Sequence, residues 1–171
     1  MDHLQSMFVS EKISKGSFYT RVGHSCDKLS FISSGMLRVY ASKDDKTITQ
    51  WISTPGYFVT DLNSLVFDQP SRWNIEALTD CRLYSISKKD YNQLNAQIPG
   101  WSQLEKQFLA KCFLTLESRV FSLISNTAEE RYNELFALNP QLFNNVPLNN
   151  LASMLGMSPE TLSRIRAKRT S

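Results

Sequence analysis

The tightest constraint on this chain lies near its C-terminal end, in the run from Pro147 to Arg169. Leu148–Leu155 reads as one short helix, Gly156 as a turn, and the stretch from Pro159 onward as a second helix. Ser158 suits the N-cap, because its hydroxyl can take a backbone N–H that a helix start leaves unpaired. Pro159 at the first helical position gives up an N–H that would be orphaned anyway. Glu160 in the first turn is favoured by the helix dipole. Leu151, Leu155, Leu162 and Ile165 point inward at helical spacing, Met157 plugs the turn, and Ala152 is small where the helices would cross. Gly156 supplies the positive φ that a tight inter-helix turn needs. Glu160, Thr161, Ser163, Arg164 and Lys168 stay outside. The second helix therefore offers a polar, basic face with a free N-terminal turn, as a helix that enters the major groove of DNA must. A helical hairpin that merely closes a domain needs no such coincidence of small, glycine and apolar residues.

Charge points the same way. The chain carries a formal net charge of +3. From Gln141 to Ser171 there are Arg164, Arg166, Lys168 and Arg169 against Glu160 alone, so the whole excess sits in this segment. That is where phosphate would be met.

Other function classes lack their residues. The three cysteines, Cys26, Cys81 and Cys112, are far apart and odd in number, so neither a disulfide framework nor a zinc spacing follows. Buried, reduced thiols in a cytoplasmic protein are expected. His3 and His24 lie on different segments, and a metal-dependent barrel enzyme needs clustered ligands. Iron–sulfur sensing needs several cysteines close together. A haem sensor would have only His24 or Cys26 as axial ligand. No apolar run approaches the length of about 18 residues that reads as a membrane span. Met1-Asp2-His3-Leu4 lacks the basic-then-apolar pattern of a signal peptide.

Ahead of the C-terminal helices the chain is strand-rich. Candidate strands are Ser17–Arg21, Leu29–Ser33, Met36–Ala41, Thr47–Ile52, Trp73–Leu78 and Arg82–Ile86. Turn signals fall at Gly16, Gly23, Ser34-Gly35, Lys43-Asp44-Asp45-Lys46 and Pro55-Gly56. Many short strands at regular spacing predict a small antiparallel roll or barrel. Ser87-Lys88-Lys89-Asp90 then starts a helix through Gln97, which Pro99-Gly100 ends. From Pro99 the pattern is helical: Trp101, Leu104, Phe108, Cys112, Leu116, Val120 and Ile124 form one apolar line, and Leu109, Phe113, Phe121 and Leu123 a second. This surface is too wide for a helix that covers one side of a roll. One stripe can meet the roll and the other a partner helix in a coiled-coil-like pair. Thr127-Ala128-Glu129-Glu130 is a capping box that opens another helix to about Leu138, stopped by Asn139-Pro140. The change of direction at residues 125–127 is a candidate hinge. Phe143 and Val146 are expected to pad the helix-turn-helix core, and no strand-forming stretch follows Pro140.

Lys15-Gly16 before a strand, Gly23, then Leu29-Ser30-Phe31-Ile32-Ser33-Ser34-Gly35-Met36-Leu37-Arg38-Val39-Tyr40 resembles the opening of a cyclic-nucleotide-binding β-roll. Followed by a long helix and a helix-turn-helix, nearly the entire chain is similar to the catabolite activator / fumarate-nitrate regulator (Crp/Fnr) family of bacterial transcription regulators. The ending just past the second helix resembles a subgroup common in Bacteroidetes-type bacteria, and relatives usually have more residues ahead of the roll. The resemblance implies an α+β chain: a jelly-roll-like double-stranded β-helix over residues 1–98 as effector domain, a dimerisation helix over 99–125, and an all-α helix-turn-helix domain over 126–171. It implies double-stranded DNA, a second copy of the chain through residues 99–125 and RNA polymerase as partners, and neither enzymatic activity nor a membrane. The base-reading positions become Glu160, which can accept from a cytosine amine, and Arg164, which can be bidentate to guanine. Ser158, Thr161, Asn149 and Lys168 become phosphate contacts. Pro159 stands where relatives often have Arg, so the preferred site should differ.

In relatives that bind cAMP, a cassette after a Gly turn supplies a Glu for the ribose, free N–H groups for the phosphate, and an Arg-Ser or Arg-Thr pair to clamp it. The matching stretch departs from that pattern. Asp61 falls at the Glu position, one methylene short. Asn63 replaces a Gly whose backbone must come close. Ser71 falls where the Arg should be and Arg72 one place later, on the opposite face if this were strand. Trp73 takes a small-residue position. Tight cAMP binding is therefore not expected, no cofactor is implied, and Arg72 and Asp61 could pair with each other instead. A module whose C-terminal helices bind protein rather than DNA is the alternative, which the local positive charge disfavours.

Overall fold

A computed structural model describes residues 2–170, and side chains for residues 4–168. His3 and Arg169, named above, lie outside the described side chains. The chain divides into two compact units, Met1–Trp101 and Ser102–Ser171.

The first unit runs α1 (Asp2–Ser6), β1 (Val9–Ile13), β2 (Phe18–Thr20), β3 (Lys28–Ser34), β4 (Leu37–Lys43), β5 (Lys46–Ser53), β6 (Phe58–Val59), α2 (Leu62–Phe67), β7 (Asn74–Ala77), β8 (Cys81–Ser87) and α3 (Lys88–Gln97). Its strands form two four-stranded antiparallel sheets, ordered β1-β8-β3-β6 and β2-β7-β4-β5. Alternation decides the faces: Ile32, Leu37, Ile75, Ala77 and Leu83 turn inward into one core, with Trp73 and Val39 packed on it. Leu29 and Ile86, directly opposite each other across β3 and β8, turn the other way and meet Leu65 of α2 and Leu94 of α3. The β4–β5 hairpin closes through Asp44 and Asp45, both at positive φ, in the turn the sequence signalled. Gly35 sits at φ +91 between β3 and β4.

Four elements of this unit are absent from the sequence reading, the short helix α1 among them. β1 (Val-Ser-Glu-Lys-Ile) buries only Ile13 and carries no alternating pattern. β6 has two residues and reads as part of a turn. α2 hides inside the stretch aligned to a nucleotide cassette. It is announced by Asp61, whose side chain caps it by accepting the N–H of Ser64. The expectation of three buried thiols also needs correction: Cys26 and Cys81 are buried, but Cys112 is exposed. It lies on a helix with no buried residue.

That helix is α4 (Trp101–Ser125), the long helix at the boundary. It is followed by α5 (Ala128–Leu138), α6 (Leu142–Asn145), α7 (Leu148–Met154) and α8 (Pro159–Thr170). No strand follows Ser87 among the described residues. The Thr127–Glu130 capping box is formed in both directions. Tyr132, Phe136 and Phe143 make an aromatic cluster, with Tyr132 edge-on to Phe143 at 4.8 Å between centroids. Such pairs add about 0.5–1.5 kcal/mol beyond area burial. Phe143 and Val146 are buried, as expected, with Leu142, Leu151, Leu155, Leu162 and Ile165. The corner at 125–127, read above as a hinge, is laced. Glu134 accepts from Ser122 Oγ and Asn126 Nδ2, each at 2.6 Å.

Candidate nucleic-acid interface and effector pocket

The turn between α7 and α8 follows from its residues. Gly156 takes φ +65. Its N–H donates to Ser153 O, and the N–H of Met157 reaches back to Ala152 O, both at 3.1 Å. This is a Schellman ending, which only a residue tolerant of positive φ completes cheaply. Ser158 then opens α8: its carbonyl accepts from Leu162 at 3.0 Å and its Oγ accepts from the N–H of Thr161 at 3.2 Å. Leu151, Ala152 and Leu162 are fully buried between the helices, and Met157 is half-buried at the turn.

Of the set expected to face outward, all but the half-buried Thr161 do so. Glu160, Ser163, Arg164 and Lys168 are exposed, and Glu160, Arg164 and Lys168 recur one turn apart along one face of α8. A shallow groove beside it is lined by Leu148, Pro159, Glu160, Ser163, Arg164 and Ala167. Ser158 and Asn149 are exposed at the starts of α8 and α7, while Thr161 is half-buried with its hydroxyl 3.2 Å from Ser158 Oγ. Hydrogen bonds from its own backbone N–H and from Ser158 hold the Glu160 carboxyl below the usual range. It is an acceptor at neutral pH, suited to an exocyclic amine.

Two arginines behind this face escaped the sequence reading. Arg119 of α4 donates to Met154 O at 2.7 Å, and Arg131 of α5 donates to Leu155 O at 2.8 Å. Their partners lie 35 and 24 residues away, beyond any local spacing rule.

In the roll, Asp61, Asn63, Ser71 and Arg72 do come together, but around one another. Asp61 is 1% exposed. Its Oδ1 accepts the N–H of Ser64 at 3.0 Å, and its Oδ2 accepts from Ser71 Oγ and from the N–H of Arg72, both at 2.9 Å. Asn63 Nδ2 donates to Pro70 O at 3.1 Å. The Arg72 guanidinium does not pair with Asp61; its backbone does, and the side chain is exposed. Residues 72 and 73 form a bend before β7 and residue 71 is not strand either, so the opposite-face argument does not apply there. Ser71 still points in and Arg72 out, because Asp61 draws in the hydroxyl of one and only the N–H of the other. Trp73 fills space against the roll core. Among the described residues no group of three or more His, Cys, Asp or Glu could hold a metal ion. No helix among them is long and apolar enough to cross a membrane.

The cyclic nucleotide-binding domain matches residues 10–97. No curated protein is similar to the chain in sequence. Among solved structures, FixK2 from Bradyrhizobium japonicum superposes with a TM-score of 0.78 at 14% identity, covering 94% of this chain and 83% of its own. The c-di-GMP-responsive global regulator CLP of Xanthomonas campestris gives 0.74 at 18% identity, covering 99% and 89%. A transcriptional regulator of the Crp/Fnr family from Eubacterium rectale gives 0.74 at 16%, covering 99% and 84%. At these identities the likeness is one of fold: an eight-stranded antiparallel roll followed by C-terminal helices.

Proposed function

The chain belongs to the cyclic nucleotide-binding domain family, and on that premise we propose that it is a sequence-specific DNA-binding transcription regulator of the Crp/Fnr type that acts as a homodimer. The observation that carries the proposal is the exposed face of α8. Glu160 and Arg164 stand one turn apart on it, near the capped N-terminus of a helix packed against α7 in helix-turn-helix fashion. Two-fold symmetry would set two such helices in successive major grooves, about 34 Å apart. Glu160 and Arg164 would then read base edges, while Ser158, Thr161, Asn149 and Lys168 meet the phosphates.

Dimerisation is supported by α4. None of its residues is buried, and Phe113, Phe121 and Ile124 are 68%, 70% and 80% exposed. An apolar surface of this length in water is stabilised by a second copy of the same helix.

Arg164→Ala is expected to weaken binding at the preferred site by about 1–3 kcal/mol, roughly 5–150-fold, and to relax the base preference at one position of each half-site. Lys168→Ala should weaken binding to all sequences alike. Anisotropy titrations on matched and mismatched duplexes check both. An unchanged affinity and preference in Arg164→Ala would remove that residue from the reading. Affinity that barely responds to salt would favour a protein partner for α8 over DNA.

The roll acts without cAMP in this proposal. The carboxylate that would hold a ribose is buried and already accepts three hydrogen bonds from its own cassette, and the arginine that would clamp a phosphate points outward. Calorimetric titration of the protein with cAMP is expected to show no heat of binding up to millimolar ligand. Micromolar binding at one site per chain would overturn this.

A further inference from the structure

The Schellman bonds at the end of α7 use the carbonyls of Ala152 and Ser153. The next three carbonyls in succession go to arginines. Arg119 Nη2 donates to Met154 O at 2.7 Å; Arg131 Nε donates to Leu155 O at 2.8 Å and its Nη2 to Gly156 O at 3.2 Å. These carbonyls lack intrahelical partners and carry the negative end of the α7 dipole, so a cation is favoured there. A guanidinium is also a rigid planar fork, which fixes direction as well as distance.

Both forks are tied to α4. Arg119 is on that helix, and Arg131, on α5, donates its Nη1 to Asn126 O just past the end of α4, at 2.6 Å. The turn itself lies against α4: a Cβ on Gly156 would stand 3.0 Å from Leu123 Cδ2. The bonds from Ser122 and Asn126 to Glu134 fix the α4–α5 corner from the other side.

We infer that Arg119 and Arg131 are positioning residues that lock the α7–α8 turn to the dimer helix, and so set the separation of DNA half-sites that the protein accepts. The inference rests on the DNA-binding reading above. If α4 pairs with its copy and the turn is clamped to α4, the distance and angle between the two α8 helices have no soft joint. One added base pair moves a half-site by about 3.4 Å along the axis and rotates it by about a tenth of a turn. A clamped dimer cannot follow that change; an unclamped one can.

The test uses the full chain and a two-fold symmetric site obtained by selection with the wild-type protein. Binding is measured on duplexes whose half-site separation is changed one base pair at a time, for wild type, Arg119→Ala and Arg131→Ala. Oligomeric state and helical content are measured alongside. The wild type is expected to lose about tenfold per base pair of altered spacing, and each variant less than about threefold, with dimers and helicity retained. A merely structural role would lower affinity at all spacings equally. Folded, dimeric variants that keep the wild-type spacing penalty would overturn the inference. Arg119→Ala removes the bond to Met154 O at a half-buried position of α4 and introduces the best helix former, so it keeps the inference testable even if Arg131→Ala unfolds. Failure of the wild-type protein to select any symmetric site would instead overturn the DNA reading, and this inference with it.

Discussion

Replacing Phe113 with Glu should convert the protein to a monomer and reduce its DNA affinity to that of a single half-site. Leu109, Phe113, Leu116, Val120 and Leu123 alternate spacings of four and three along α4, the rhythm of a coiled-coil seam, and all five are exposed. Phe113 lies second in that line and is 68% exposed. Across a two-fold axis its copy would lie nearby, so the change sets two carboxylates into a dry seam. The loss of a buried ring and the burial of unpaired charge each cost about 3–5 kcal/mol. Dissociation should therefore rise by a factor of a thousand or more, on the order of 4 kcal/mol. Sedimentation equilibrium on the variant and the wild type reads this directly. A variant that stays dimeric at the wild-type concentration would place the dimer contact elsewhere. As a control, Lys111→Glu changes charge on the same helix, off the seam, and should leave the dimer intact.

The second large effect lies in the roll. Gly35→Ala should destabilise it by about 3–5 kcal/mol, which for a chain of this size lowers the melting temperature by roughly 10 °C or more. Gly35 adopts φ +91, a conformation that L side chains rarely take. A Cβ there would stand 2.6 Å from Cys81 Sγ and 2.7 Å from Cys81 Cα, and closer still to the Asp80 carbonyl oxygen. Two of these are backbone atoms at the start of β8, so no rotamer change relieves the clash. Gly16 has a similar φ of +80 but nothing within 4 Å of its would-be Cβ. Gly16→Ala should therefore show only the conformational cost, about 1–2 kcal/mol. Equal melting temperatures for the two variants would refute the packing explanation.

The α7–α8 pair was legible because each requirement is local: a cap at Ser158, a proline at the first turn, a glycine at the bend, apolar residues at helical spacing. The exposed Glu160–Arg164 face follows from the same periodicity. The capping box at Thr127 and the turn at Asp44-Asp45 were legible for the same reason. The roll was legible as a roll but not in every strand. β1 gains its place by pairing with β8, from Val9 opposite Ser85 to Ile13 opposite Cys81. Nothing in Val-Ser-Glu-Lys-Ile marks that distant partner. The network around Asp61 was invisible too. The sequence places a short acid where a nucleotide-binding relative has a longer one, but does not reveal that Ser71 and the N–H of Arg72 reach it. Long-range polar partners set the Arg119 and Arg131 clamp as well, and charge alone gave no sign of it.

The most direct test of the regulator reading is selection of binding sites from a pool of random duplex DNA, at low salt and with no added effector. The reading predicts enrichment of a two-fold symmetric sequence with half-sites about 10 base pairs apart. It also predicts loss of that enrichment in Arg164→Ala. Absence of any enriched sequence, with the protein folded and dimeric in the same buffer, would contradict it.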